Sequence, residues 1–363
     1  MRILAVDVGA GTQDILLFDS SSVVENCVKM IMPSPTALAA QRIAAATRRG
    51  WPILMEGVTM GGGPIKSALS RHTAAGLAAY ATEEAALTFH DDLEVVKGMG
   101  VTIVTPDEVL PRHRFEIIHL RDLDLAAIRE ALQSFGVDSR FDAVAAAVLD
   151  HGFAPKGISN RLFRFQCLRQ LMEENSNLGA FAHLAAELPG HLTRMKAVAK
   201  TANVAVPALL MDTGAAAALG ALQDATVAKH RRVLTINLGN SHAAAFHLDG
   251  LKIRGFFEHH TNLLDSAKID DLIDKLARGV LTHDEVFEGG GHGAVVVGES
   301  HDKPFLAVTG PRQDIAKGTR LPFHPAVPHG DTMLTGCYGL VKAFGLRVEA
   351  WREEIDRALA VGV

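Results

Sequence analysis

The 363-residue sequence is short of cysteine and of runs of charge. Its three cysteines, Cys27, Cys167 and Cys337, lie far apart and make no Cys-x-x-Cys pair, no zinc-type spacing and no three-cysteine iron–sulfur run. That excludes cysteine redox and cluster chemistry within one chain. The compartment expected from such usage is reducing and cytoplasmic. No basic run exceeds "KHRR" at 229–232 and the formal net charge is −5, so nucleic acid is not an expected partner. No apolar stretch reaches spanning length without a charge, Gly or Pro, and the N-terminus enters a core strand directly. Neither secretion nor membrane insertion is expected. No sustained heptad or single exposed apolar helix stands out either, so the oligomeric state stays open.

What is present suffices for two ordinary domains, with 48% hydrophobic residues against 21% charged. There is also a repeat. "ILAVDVGAGTQDILLFDSSS" at 3–22 aligns without a gap on "VLTINLGNSHAAAFHLDG" at 233–250, at an offset of 230. Leu4 meets Leu234, Gly9 meets Gly239 and Asp19 meets Asp249, while Asp7 faces the amide Asn237. Each copy reads as strand, tight turn, strand, because aliphatic and β-branched residues flank a Gly/Asn/Ser turn with no helix-length segment between.

This excludes two other glycine loops. A dinucleotide fingerprint needs a third Gly and a helix directly after the turn, whereas "GAGTQD" runs back into the strand "ILLF". A Walker loop needs Gly-Lys-Ser/Thr after four residues, and "GGGPIKS" at 61–67 has Pro64-Ile65 in place of the second Gly. That segment reads instead as a glycine turn followed by a helix from Pro64 through "KSALSRHTAAGLAAYA".

Further along, 33–50 reads as a helix between Pro35 and Gly50, and "WPILMEGV" at 51–58 as a buried strand. "GVTIVT" at 100–105 and "DAVAAAVLDHG" at 142–152 hold two more strands, and 161–200 two helical segments split by "LPGHL". The alternation implies an α/β domain with helices on the faces of a mixed sheet. "DTGAAAALGAL" from 212 is a helix of small residues that lets another backbone come close. "GDTMLTGCYGLVKAFG" at 330–345 repeats its Asp-Thr and its Gly eight residues after the Asp, Gly220 in the first and Gly339 in the second. Two unrelated helices that share Asp-Thr caps would look the same. Beside the repeated hairpins, the pair points to a two-lobed, pseudo-symmetric protein.

This arrangement resembles the superfamily of sugar and acetate kinases, heat-shock chaperone ATPases and actin. The implied fold is α/β, a two-lobed actin-like, ribonuclease-H-like ATPase fold with a pseudo-twofold duplication. "DVGAGTQD" looks like its phosphate-1 motif, "NLGNSH" its phosphate-2 motif and "FLAVTGPRQD" at 305–314 its adenosine motif. The two small-residue helices look like the connecting helices, hinged at Gly220 and Gly339. The resemblance divides the chain into lobe I at 1–206 with an insertion region, lobe II at 207–330, and a second connecting helix at 331–363 returning to lobe I. More narrowly, "DVGAGTQD" together with "DHGFAPKGISNR" and "EGGGHGA" resembles a family that carries the label of a pyruvate-formate-lyase-activating enzyme. A radical activator needs a cluster-binding cysteine triple, which this chain lacks.

The resemblance implies ATP and Mg²⁺ as cofactors. Gly9, Ala10, Gly11, Thr12 and Gln13 in one turn, and Gly239, Asn240, Ser241 and His242 in the other, would grip phosphate. Gly310, Pro311 and Arg312 would hold adenosine, and Asp7 with Asn237 would hold the metal. Asp212 would be the general base, although a helix N-cap is its commoner role. Asp14 reads as structural or as an outer partner of the metal. Asn237 stands where most ATP-cleaving relatives have a second Asp, and His242 where a small hydroxyl is usual. The leading reading is a phosphotransferase acting on a small metabolite. A nucleotide-gated regulator or activator of a partner protein is the alternative. A metal-dependent hydrolase using the histidine clusters "EHH", "GGGHG" and "FHPAVPHGD" is a third. Loop histidines beside Gly and Pro usually serve as solvated or capping residues, and His292, wedged between glycines, is the one to follow.

Overall fold

The computed structural model describes residues 1–105, 114–202, 205–300 and 303–360. The portions of the domain division at 106–113, 203–204, 301–302 and 361–363 lie outside the described residues. The first sheet contains β1 (Arg2–Val8), β2 (Thr12–Asp19), β3 (Val28–Pro33), β8 (Ala143–Val148), β9 (Ala182–Leu184) and β10 (Ala208–Asp212). Their order is β3-β2-β1-β8-β10-β9. A second, smaller sheet contains β4 (Ile53–Gly57), β5 (Ala79–Thr82), β6 (Val101–Val104) and β7 (Glu116–Leu120), all parallel, in the order β6-β5-β4-β7. The third contains β11 (Arg232–Leu238), β12 (His242–Asp249), β13 (Lys252–His260), β14 (Gly293–Val296), β15 (Phe305–Thr309) and β16 (His324–Pro325), ordered β14-β13-β12-β11-β15-β16.

The duplication holds pair by pair. In the first hairpin Arg2 pairs with Asp19 and Val8 with Gln13; in the second Arg232 pairs with Asp249 and Leu238 with Ala243, each 230 residues on. Gly9 N–H closes the first turn on Thr12 O at 2.9 Å, and Gly239 N–H closes the second on His242 O at 3.0 Å. The next strand joins in parallel in the same register, Asp7 against Ala147 and Asn237 against Thr309. Two sheets built alike, each opening on an antiparallel meander and continuing with parallel strands, define the two-lobed actin-like ATPase fold.

Strand alternation sets the layers. Leu4, Val6, Ile15 and Leu17 face α5 (Leu125–Ser134) and α7 (Thr193–Ala202), while Ile3, Ala5, Leu16 and Phe18 face the centre of the molecule. That centre holds α8 (Thr213–Ala221) and α11 (Thr335–Arg347), lying between the two large sheets, with α6 (Asn160–Glu174) alongside. The outer face of the third sheet packs on α9 (Ser266–Arg278) and α10 (His283–Glu288). The small sheet has its own core with α1 (Pro35–Arg49), α2 (Gly63–Ala74), α3 (Glu83–Ala86) and α4 (Leu93–Gly98), and α12 (Glu349–Ala358) ends the described chain. Among the described residues, no helix is long and apolar enough to cross a membrane.

Four expectations change. The strands at 51–58 and 100–105 do not join the first sheet but build the separate parallel one, because the free edge of β1 is taken by β8. The helix expected through "KSALSRHTAAGLAAYA" ends at Ala74, and its last residues form β5, paired with β4 through Ala79, Tyr80 and Ala81. The division at 206/207 puts Ala208–Asp212 in lobe II, yet this strand pairs with β8 in the first sheet, where Leu209, Leu210 and Met211 are buried. The second small-residue helix also starts later than its Asp-Thr, at Thr335; Asp331 instead accepts Met333 N–H at 3.0 Å in the preceding turn.

At the crossing of α8 and α11, Gly220 and Gly339 face each other backbone to backbone. A Cβ on Gly220 would overlap the Thr335 carbonyl, and one on Gly339 the Ala216 carbonyl. Neither obstacle is a flexible side chain that could swing away. Gly220→Ala is therefore expected to destabilise the protein by more than the ~1–3 kcal/mol usual for core overpacking. A urea midpoint close to that of the wild type would contradict this packing.

Candidate functional site

The two glycine turns face one cleft with a cavity volume of about 270 Å³. From the first hairpin it is lined by Asp7, Gly9, Ala10, Thr12 and Asp14, and from the second by Asn237, Gly239, Asn240, Ser241 and His242. Gly310 and Pro311 line it at the end of β15, and Thr335 and Gly336 at the start of α11. Of the remaining sequence candidates, Gln13 turns its amide to Pro33 O at 3.3 Å, and Arg312 lies beyond the lining, with Asp314 at 4.0 Å. Gly11 is not in the lining but abuts Asn240, so the turns of the two lobes touch. Gly239 is also required by its own hairpin, since a Cβ there would stand 2.7 Å from His242 O.

Asp7 and Asp14 sit opposite each other across the β1–β2 ladder. Thr213 Oγ1, at the start of α8, donates to Asp7 Oδ1 at 2.7 Å. The other oxygen, Oδ2, lies against Gly336, a position closed to any larger residue. Asp14 Oδ1 is buried and has no hydrogen-bond partner among the described residues. Burial pushes Asp7 up to about 6, against the Thr213 hydrogen bond and helped by the charge of Asp212. Burial and the adjacent Asp7 push Asp14 up to about 8, with Asp331 adding to the effect. Two buried carboxylates with no cation between them are each costly to ionise. Their oxygens and the orphaned Oδ1 fit a hard divalent ion, so the donor set that sequence reasoning divided between Asp7 and Asn237 gains Asp14.

Asp212 is placed differently from an open proton acceptor. It caps α8, Oδ1 accepting Gly214 N–H at 3.0 Å, while Oδ2 accepts from Arg164 at 2.7 Å. Arg164 is buried and also donates to Glu258 Oε2 at 2.8 Å and to Asp150 O at 2.7 Å. Burial would raise Glu258, but the charge and hydrogen bonds of Arg164 hold it well below the usual carboxylate range. Burial pushes Asp212 up in spite of Arg164, with the charge of Glu258 contributing. This ion cluster ties α6, β10 and β13 together, and neither Arg164 nor Glu258 had a sequence signature.

Beyond the glycine turns, the cleft continues between Thr59–Pro64, Thr88, Asp91, Asp150, His151 and Arg194. Here the glycine run set aside as a Walker decoy forms a wall. Arg194 reaches the cleft while held by Asp122 at 2.7 and 2.9 Å. Asp150 accepts Gly152 and Met195 N–H groups, both at 2.8 Å. Of the histidines expected to be solvated or capping, His260 and His292 pack together with His242 instead. His242 lies with its ring centroid 5.0 Å from His260 and 4.9 Å from His292, and His292 is wholly buried. Burial and neighbouring charges lower His151 well below its ordinary value, His242 to about 3 and His260 to about 4, which keeps these rings neutral at pH 7. "DHGFAPKGISNR" and "EGGGHGA" contain His151 and His292, but no spacing rule joins segments about 140 residues apart.

The chain belongs to the family described as "Putative pyruvate format-lyase activating enzyme (DUF1786)", whose model matches residues 60–315. No protein of curated function matches it in sequence. Among solved structures, it is similar to the ROK hexokinase from Thermus thermophilus, at 11% identity and TM-score 0.27, over 70% of this chain and 47% of that one. It is also similar to the ethanolamine utilization protein EutJ from Carboxydothermus hydrogenoformans, at 11% identity and TM-score 0.36, over 94% and 89% of the two chains. A third is the activator of the 2-hydroxyisocaproyl-CoA dehydratase from Clostridium difficile with bound ADPNP, at 9% identity and TM-score 0.33, over 97% and 98%. The chain spans 38% and 47% of the two ROK-family chains it matches.

The raised carboxylates fix the sign of a pH dependence. Unfolded aspartates titrate near ~3.9, so the folded ligand-free protein binds more protons than the unfolded chain, and stability falls as pH rises. The fall runs from about pH 4 through the folded values of about 6 and about 8, then levels off. Asp14→Asn is expected to flatten the upper part of that slope, read as urea midpoints on either side of it. Parallel slopes in wild type and variant would show that Asp14 is not held protonated.

Proposed function

We propose that the cleft binds ATP with Mg²⁺ and serves phosphoryl transfer to a small metabolite. The observation that carries this reading is the pair Asp7 and Asp14, which make no ion pair with a Lys or Arg among the described residues and are set between two symmetry-related glycine turns. Residues 9–11 and 239–241 lie outside the strand ladders, where turn amides can form concave anion seats. Asp7 and Asp14 would hold the metal, whose bound form bridges phosphate oxygens and offsets their charge. Asn237 adds a neutral oxygen on the opposite jaw, and Gly310 and Pro311 border the seat for the base. The chamber beyond the turns, walled by 59–64, Thr88, Asp91 and Arg194, is the seat assigned to the acceptor. In this reading Asp212, which does not line the cleft, would take the proton of the acceptor only after Arg164 has shifted toward Glu258 and freed its Oδ2.

The engagement of both Asp212 oxygens favours a second reading, a nucleotide-gated activator of a partner protein with little turnover of its own. In that case nucleotide occupancy sets the separation of the lobes, pivoting at the Gly220–Gly339 crossing, and the partner reads it.

Calorimetric titration of ATP, with and without Mg²⁺, into wild type and Asp7→Ala tests the common core. Mg²⁺-dependent binding that disappears in the variant is expected. Wild type that takes up no nucleotide at millimolar ATP would end both readings. Stimulation of ATP turnover by a pool of small metabolites supports the transferase, and stimulation only by a protein partner supports the activator.

A further inference from the structure

His151 follows β8, His242 opens β12, and His292 precedes β14, so three separate elements converge here. Each offers one ring nitrogen, and the three nitrogens lie within 4.8 Å of one another. Ring centroids are 5.1 Å apart for His151 and His292, 4.9 Å for His242 and His292, and 6.2 Å for His151 and His242. His292 is the most telling member. Its Nδ1 meets Glu258 Oε2 at 3.1 Å, and Glu258 is itself held by Arg164. That leaves Nε2, which is buried and has no hydrogen-bond partner among the described residues. A buried imidazole nitrogen is rarely left unmatched. A carboxylate on the far nitrogen of a histidine fixes its tautomer and aims the other lone pair, which is the usual support of a metal ligand.

We propose that His151, His242 and His292 form a site for a borderline divalent transition metal of the zinc class, with a coordination position open to the cleft. Zn–N bonds of ~2.0–2.1 Å place two ligand nitrogens of a tetrahedral ion about 3.3 Å apart, a distance reached by small ring rotations. Three imidazoles suit zinc-class ions and not Mg²⁺, which takes oxygen donors, so this site is separate in chemistry from Asp7 and Asp14. His151 and His242 also line the cleft, beside Asn240 and Ser241. The open position therefore faces the phosphate end of the cleft and takes an oxygen donor there, water or an oxyanion. Glu258 acts as a positioning residue, through His292.

The test uses the full chain without nucleotide. Metal-free protein is titrated with Co²⁺ while its visible d–d bands are followed, and with Zn²⁺ by calorimetry. One tightly bound ion with the intense bands of four- or five-coordinate Co²⁺ is expected. His242→Asn and His151→Asn, both at half-buried positions, are expected to weaken binding at least about tenfold, in keeping with the loss of one of three ligands. His292→Ala is the stronger change, and circular dichroism reports whether it folds. Weak octahedral Co²⁺ bands that persist in both asparagine variants would mark adventitious binding to surface histidines and overturn the proposal, as would no binding by wild type. Because ATP is absent throughout, zinc binding without ATP binding, or the converse, separates this inference from the nucleotide reading.

Discussion

The contact on which the rest of this protein depends is the crossing of two helices with almost no side chains between them. Gly220 and Gly339 bring the backbones of α8 and α11 together, with the Ala216 carbonyl lying against Gly339. Close-packed backbone has little compliance, so the crossing fixes how the two sheets stand to each other. The site hangs from the same helices. Thr213, the first residue of α8, bonds Asp7 of lobe I. At the start of α11, Thr335 accepts a hydrogen bond from Thr309 of lobe II at 3.0 Å, while Gly336 lies against Asp7. The jaws are thus set by the beginnings of two helices whose middles are locked together.

Electrostatics divide the interior into two unlike halves. Around Arg164, one guanidinium serves Asp212, Glu258 and a carbonyl, so each carboxylate there has a cationic partner within the protein. Around Asp7 and Asp14 the described residues offer no such cation, and burial drives both carboxylates toward the protonated form. A self-satisfied cluster rigidifies, and an unsatisfied one is poised to take up a ligand. The first also supports the histidine group, through Glu258 and His292. Three chemistries meet along one cleft: the carboxylates of one jaw, His151 and His242 from the two lobes, and a polar chamber behind them.

Much of the fold was legible because both hairpins had to be written twice. A strand buried on both faces, a tight turn and a second buried strand leave few alternatives, and the 230-residue offset reproduced the ladder register residue by residue. The small sheet was not legible as a separate body. Its strands are short and apolar, and nothing local says which sheet edge such a strand will join. The β5 segment "AYAT" was absorbed into a helix because the alanines before it favour helix, and pairing with β4 overrode that preference.

For the site, the sequence by itself determined the glycine turns, the position of Asp7 and the small-residue helices, because each follows from chemistry within a few adjacent residues. Only the tertiary structure decided which groups meet. It set Asp14 beside Asp7 without a cation, gave Asp212 to Arg164, and gathered His151, His242 and His292 from three segments. A turn depends on local backbone sterics and can be read along the chain. The charge state of an acid and the ligand set of a metal depend on neighbours distant in sequence, and those are set only when the lobes close on the Gly220–Gly339 crossing.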